Sequence, residues 1–403
     1  MKTLAMLSMH TSPLAQPGEG DGGGMNVFVR ELAGALAQAG VGVRVYVRRS
    51  DDEVDDRVSV EPGFEVVHVT AGPLDAPKES LVDLVDPFAD AVRDDIVATG
   101  DVSLLHANYW LSGVAGHRIK HELSIPLAST FHTLGRVKEL GGDPESRARI
   151  DAEAAVIGCS DLVTAATPVE ADQLVQLYGA PLDRIELVPP GVDLAFFSPG
   201  DTAGARWATG IGDGPVVLFV GRIQALKGLD VAVEALARLQ RSDAQLVVVG
   251  GPSGSEGLAE LDRVRDLVDS HGLARRITWI EPRPHHLLSS YYRSADVVVV
   301  PSRSESFGLV ALEAAACGVP VVAADVGGLS SLVVDGVTGT LVDGRDPADF
   351  ASAIDAILGD AGLAATLGAA GAVRARSFTW STTAARLRRC YADLSQRSLV
   401  SCA

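Results

Sequence analysis

The chain has 403 residues, 47% hydrophobic but only 5% aromatic, and a formal net charge of −18. The length points to two domains, because single cores stop growing at roughly 250–300 residues, and the aliphatic bias suits parallel strands buried between helices. So acidic a chain lacks the basic surface that releases counterions from nucleic acid and has no polybasic membrane patch, so neither partner is expected.

Residues 4–9 form a short apolar run, interrupted as a signal core by Ser8, His10 and Thr11. A Gly/Pro-rich loop follows at 13–24, then a helix over 26–40 with Val27, Leu32 and Leu36 at helical spacing. Strands are predicted at 41–47, 65–69, 102–106, 126–130, 162–166 and 185–188. Pro189, Pro190 and Gly191 break the pattern, and 192–201 reads as a linker. Strands resume at 216–220, 246–249, 277–280, 297–300 and 319–323, with a helix over 229–240. Alternation of this kind predicts α/β architecture with a parallel sheet in each half. The predicted domains are 1–192 and 193–377, with an amphipathic helix at 378–395 crossing back onto the first. No apolar run reaches the ~18 residues that span a bilayer, so a soluble, cytoplasmic protein is expected. Cys159, Cys317, Cys390 and Cys402 include no Cys-x-x-Cys pair. Neither a thiolate metal site nor a disulfide framework is therefore expected.

Three segments carry candidate chemistry. Asp21-Gly22-Gly23-Gly24 lies between a strand and a helix. Its backbone can approach a ligand closely, and the helix start favours phosphate; a plain surface loop is the competing reading. Arg222 and Lys227 follow the strand at 216–220, where open α/β sheets bind ligands, and together they can hold a diphosphate; a solvated helix start is the alternative. Glu305 lies in a loop, and Glu313 in an Ala-rich apolar helix, where a carboxylate needs a partner. Glu313 is placed to accept from ribose hydroxyls and Glu305 from a sugar hydroxyl, unless both are ordinary helix-flanking acids.

These residues resemble a known family. Glu305 and Glu313 reproduce the E-x7-E motif of the family-4 retaining glycosyltransferases, with Phe307-Gly308-Leu309 between them. Gly221-Arg222 with Lys227-Gly228, and Pro190-Gly191-Val192-Asp193, match further motifs of that family. The resemblance implies a GT-B fold: two Rossmann-like domains with parallel sheets facing a central cleft. The segments 10–18, 21–27, 108–113 and 132–134 are similar to the branch of the family acting in mycothiol biosynthesis, which moves N-acetylglucosamine from UDP-N-acetylglucosamine to 1L-myo-inositol 1-phosphate. The segment Leu134–Glu139 and Val319 depart from that pattern, and sucrose-phosphate-type transferases share much of the N-terminal plan.

The resemblance implies donor contacts from Gln16, Pro17, Gly23, Gly24, Arg222, Lys227, Arg283, Glu305, Phe307, Gly308, Leu309 and Glu313, with Arg283 at the base. It implies acceptor contacts from His10, Asp21, Asn26, Lys78, Tyr109, Thr133 and Arg149, with Arg147 as the alternative register for Arg149. His132, Glu305, Arg222 and Lys227 are the expected catalytic group; a buried structural role is the rival reading of His132. No metal site and no required cofactor are implied, although a non-catalytic Mg2+ is compatible, and a homodimer is the family expectation. A UDP-sugar epimerase or hydrolase on the same scaffold, and a non-catalytic sugar-nucleotide sensor, are the competing functions.

Overall fold

The computed structural model describes residues 3–18, 20, 22–142, 144–254 and 256–402. The chain divides into two compact units: residues 1–15, 25–189 and 380–403 form one, and residues 16–24 and 190–379 the other.

The first unit holds β1 (Thr3–Leu7), β2 (Val43–Arg48), β3 (Arg57–Glu61), β4 (Phe64–Val69), β5 (Val102–Asn108), β6 (Leu127–Thr130), β7 (Leu162–Ala165) and β8 (Ile185–Leu187). They lie side by side in the order β3-β4-β2-β1-β5-β6-β7-β8. Every pairing is parallel except β3 with β4. The second unit holds β9 (Val216–Val220), β10 (Gln245–Val249), β11 (Ile277–Ile280), β12 (Val297–Val300), β13 (Val321–Ala324) and β14 (Thr340–Val342). Their order is β11-β10-β9-β12-β13-β14, all parallel. Counted within the unit this is 3-2-1-4-5-6, the doubly wound order of dinucleotide-binding folds.

Buried parallel strands explain the continuous apolar runs. All four valines of β12 are buried, and so is Val216–Phe219 of β9. Helix Leu229–Arg238 lays Leu229, Val233 and Leu236 onto this sheet, all within one core cluster. Each fully buried aliphatic side chain contributes about 1.5–3 kcal/mol of transfer free energy. In the first unit Phe88 and Val92 of helix Val85–Thr99 pack with Leu7, Leu105 and Ile119. Helix Trp380–Leu394 belongs to this unit, where Tyr391 donates to or accepts from His106 Nδ1 of β5 at 2.6 Å.

Three local expectations change. Strands β3 and β14 were not anticipated: β3 is an edge strand with exposed and half-buried residues, and β14 has only three residues. The span 192–201 is packed rather than a free linker. Val192 N–H donates to Phe378 at 3.0 Å, Phe197 is fully buried, and Asp201 caps helix Thr202–Thr209. Residues 16–24 group with the second unit, with Gln16 Nε2 donating to the Pro282 carbonyl at 3.2 Å. No single helix among the described residues is long and apolar enough to cross a membrane.

Candidate active site

The second unit changes strand order between β9 and β12, and crevices at such switch points, beyond the carboxyl ends of the strands, bind ligands in open α/β sheets. The loop after β9 carries Arg222 and Lys227; the loop after β12 carries Glu305 to Gly308. Lys227 Nζ donates to Glu305 Oε2 at 2.7 Å, joining the two loops, with Ser302 Oγ 3.5 Å from the same oxygen. Gly228, at φ 73°, lets the first loop press on the second: an added Cβ would lie 2.2 Å from the Pro301 carbonyl oxygen. Both members of the ion pair stay partly exposed, at 23% and 20%, so a ligand can reach them.

Gly308, at φ 103°, ends the second loop and leads into helix Leu309–Ala316. The first N–H groups of that helix have no partner within the helix, and its dipole is positive there. Gly23 lies against the Arg222 guanidinium, with an added Cβ only 3.2 Å from Nε, and Gly24 approaches the Leu309 side chain. Gln16 and Gly18 adjoin Pro282, next to exposed Arg283, and Pro17 between them is half-buried. Arg222, Lys227, Glu305, Gly23, Gly24 and Leu309 are thus gathered at one end of one sheet, with the Gln16–Gly18 and Pro282–Arg283 segments on the neighbouring loops. Asp21 lies outside the described residues.

Two of the expected donor residues have protein partners of their own. Phe307 is buried, its ring 5.9 Å from that of Phe378, so its side chain packs the core. Glu313 is 4% exposed and has a donor on each oxygen: His285 Nε2 at 2.7 Å and Tyr292 Oη at 2.8 Å. These two answer the need of a buried carboxylate for partners, and sequence reasoning missed both. They lie 28 and 21 residues away from it, with no local pattern to announce them. Burial, and next the Glu313 charge, push the Tyr292 phenol well above its usual range, which keeps it a donor.

The first unit repeats the logic at its own switch point between β1 and β5. His10 follows β1 and Tyr109 follows β5, their rings 4.4 Å apart. Tyr109 and His132 both hold positive φ, 74° and 62°. Such conformations cost of order 1–3 kcal/mol and concentrate where a site over-determines the backbone. His132 Nε2 lies 2.9 Å from Asn108 Oδ1. Burial, reinforced by His106 and His10, pushes its imidazole down to about 3, so the ring is neutral at ordinary pH. Asn108 is fully buried and directly precedes Tyr109; it is the positioning partner that the motif contained but that was not singled out.

Arg149 is 4% exposed and lies beside Thr133. Its Nη2 donates to Thr133 O at 3.2 Å and Oγ1 at 3.1 Å, and its guanidinium carbon sits 5.2 Å from the Tyr109 ring centroid. Arg147 is exposed and pairs with Asp151 at 3.0 Å. Arg149 is not simply a cation awaiting an anion, however. Its Nε and Nη1 are each bound at 2.8 Å, to Glu153 and Glu145, and Lys138 also pairs with Glu145. Glu153, fully buried, also holds the N–H of Gly135 at 2.9 Å and the Tyr178 hydroxyl. The divergent segment after His132 thus forms helix Gly135–Leu140, anchored on this network. Lys78 stands exposed at the start of the short helix Lys78–Leu84, on a separate connection from Tyr109, Thr133 and Arg149. Asn26 is 2% exposed, and its Nδ2 donates at 2.6 Å to both Thr11 Oγ1 and Ser12 O. Those bonds shape the loop after β1.

Comparison with known proteins agrees with this geometry. Residues 22–196 match the model described as Glycosyltransferase Family 4, and residues 202–374 the one described as Glycosyl transferases group 1. The chain is 45% identical over 400 residues to a D-inositol 3-phosphate glycosyltransferase of Nocardia farcinica, covering 96% of this chain and 88% of that one. It is 44% identical over 412 residues to D-inositol 3-phosphate glycosyltransferase 2 of Catenulispora acidiphila, covering 99% and 95%. Among solved structures, sucrose-phosphate synthase of Thermosynechococcus elongatus superposes with a TM-score of 0.92 at 35% identity, covering 98% of this chain and 99% of that one. HepE of Anabaena, solved with UDP-glucose, shares the fold at 20% identity and a TM-score of 0.79, covering 98% and 100%. With two α/β domains of GT-B type, each matched by a transferase model, and near-full-length relatives of this similarity, the chain belongs to the family-4 glycosyltransferases and is a glycosyltransferase.

Proposed function

We propose that this glycosyltransferase moves N-acetylglucosamine from UDP-N-acetylglucosamine to 1L-myo-inositol 1-phosphate, with retention at the anomeric carbon, as a cytoplasmic step of mycothiol-type biosynthesis. One observation carries the reading. Eight relatives, each 43–45% identical over 95–99% of this chain, share the D-inositol 3-phosphate glycosyltransferase name, and that acceptor is the same compound under the other numbering.

In this reading Arg222, Lys227 and the start of helix Leu309–Ala316 take the charge that builds on the departing UDP. The leaving diphosphate has protein cations of its own, so no divalent ion is required there. Glu305, fixed by Lys227, accepts from a sugar hydroxyl, and Glu313 accepts from ribose through the lone pairs that His285 and Tyr292 leave. The acceptor oxygen attacks on the face from which the diphosphate leaves and passes its proton to the departing phosphate oxygen. Thr133 Oγ1, Tyr109 and the Arg149 guanidinium receive the acceptor phosphate. Because Glu145 and Glu153 already offset the Arg149 charge, Lys78 supplies the further positive charge that a dianion needs. The protein works as a homodimer.

The likeness to sucrose-phosphate synthase favours a second reading, with fructose 6-phosphate as acceptor. UDP release from UDP-N-acetylglucosamine and from UDP-glucose, measured with each acceptor and with none, separates them. The proposal expects stimulation by inositol 1-phosphate with UDP-N-acetylglucosamine. Stimulation by fructose 6-phosphate instead would reassign the acceptor, and equal turnover without any acceptor would indicate a hydrolase or epimerase.

A further inference from the structure

Away from the sites above, the first unit gathers four metal-binding side chains from three distant parts of the chain. His117 and His121 stand one turn apart on helix Trp110–Leu123, so their rings share one face. Cys159 is the last residue of helix Arg147–Cys159 and is buried. Cys402 comes from far along the sequence. The one metal-binding donor atom of each of the four lies within 4.8 Å of all the others. His117 Nε2 is 3.3 Å and His121 Nε2 3.0 Å from Cys402 Sγ. The Cys159 and Cys402 sulfurs meet, with their Cα atoms 5.2 Å apart. The expectation of neither a thiolate metal site nor a disulfide framework did not foresee this contact, because spacing cannot show a meeting of residues 243 apart.

We propose that His117, His121, Cys159 and Cys402 form a tetrahedral structural Zn2+ site. With Zn–S of about 2.3 Å and Zn–N of about 2.0–2.1 Å, neighbouring ligand atoms of such a site stand roughly 3.3–3.8 Å apart; both histidine nitrogens already lie near that distance from Cys402 Sγ, while the two touching sulfurs have to part to admit the ion. A disulfide would account for the two sulfurs but would leave two imidazole nitrogens aimed at one of them without a purpose. On binding, each thiol loses its proton to solvent, and the two thiolates cancel the charge of the ion.

The surroundings are built for this. Lys120, 1% exposed, donates to the Cys159 carbonyl at 2.6 Å and pairs with Asp161 at 2.8 Å. Asp161 Oδ1 in turn accepts from the Val400 N–H at 2.7 Å, bringing the segment with Cys402 to the helices. The ion would tie residues 400–402 to the helix that carries Arg149 at its other end.

The test is metal analysis of the full chain, purified without chelator under a phosphine reductant, together with His121→Asn, Cys402→Ser and, as a control outside the cluster, Cys390→Ser. The proposal expects about one zinc per chain in wild type and in the control, and at least a tenfold loss in the other two. Replacement by Co2+ should give intense tetrahedral bands and thiolate charge transfer in the wild type. His121 is exposed, so its variant remains informative if Cys402→Ser misfolds. Wild-type chain without stoichiometric metal, or a Cys159–Cys402 disulfide in the intact mass of a parallel preparation made without reductant, overturns the site.

Discussion

Lys227 and Glu313 illustrate two ways of using charge in one unit. Glu313 is enclosed and satisfied by His285 and Tyr292, so its geometry is fixed before any ligand arrives. Lys227 is a half-open cation paired with the similarly accessible Glu305. Ion pairs of that exposure contribute about 0–1 kcal/mol to folding, whereas removing a group that stabilises transition-state charge costs about 10²–10³ in rate. Lys227→Ala is therefore expected to lower kcat by that factor while leaving the thermal midpoint nearly unchanged. A variant that melts early yet keeps its rate would make Lys227 a structural residue. His132 sets a pH dependence. Its folded value, about 3, lies below the unfolded value of 6.5. Between these values the unfolded chain binds a proton that the folded chain refuses. Stability is thus fully present above 6.5 and is lost as pH falls, by at most about 2 kcal/mol near pH 5. Burial pushes His106 in the same direction, to about 4. His132→Asn, which tolerates positive φ, should flatten part of the fall in urea stability between about pH 7 and pH 5; an unaltered slope would show that other groups govern it.

At the scale of elements, the proposed donor site depends on where one helix begins. Gly308 adopts φ 103°, and an added Cβ would stand 2.6 Å from Leu329 Cδ2. A side chain there meets both a disfavoured backbone region and a buried neighbour, Leu329 being fully buried. Gly308→Ala should cost about 1–3 kcal/mol or more and raise the KM for the nucleotide sugar, since the N–H groups of Leu309–Ala316 would move. Calorimetry and donor saturation read the two effects, and wild-type values in both would show that the helix start tolerates the displacement. The motif residues here were legible from sequence: a strand ending in Gly-Arg, and two glutamates around a Phe-Gly-Leu turn. Helix Arg147–Cys159 was not legible as an element. Its polar residues face inward to the Arg149–Glu153 network, so it shows almost no apolar stripe.

For the whole molecule, the proposed donor residues Arg222, Lys227 and Glu305 and the proposed acceptor residues Tyr109, Thr133 and Arg149 lie on different units. Hydrogen exchange can test this division. UDP is expected to protect 222–228 and 305–313 while leaving 109–149 unchanged, and inositol 1-phosphate to do the reverse. Protection of 109–149 by UDP alone would contradict the assignment of the two units.

Local pattern determined the α/β class and nearly all strands, because buried parallel strands must be apolar along their whole length and Gly or Pro must punctuate them. It also determined the family, through motifs whose residues stand a few positions apart. Tertiary structure decided what no short window contains. It paired Glu313 with His285 and Tyr292, placed Arg149 rather than Arg147 beside Thr133, and turned Phe307 into the core. It also brought Cys402 to Cys159 and two histidines. These outcomes depend on which side chains meet after the chain has crossed tens to hundreds of residues, and contacts of that range leave no periodicity in the sequence.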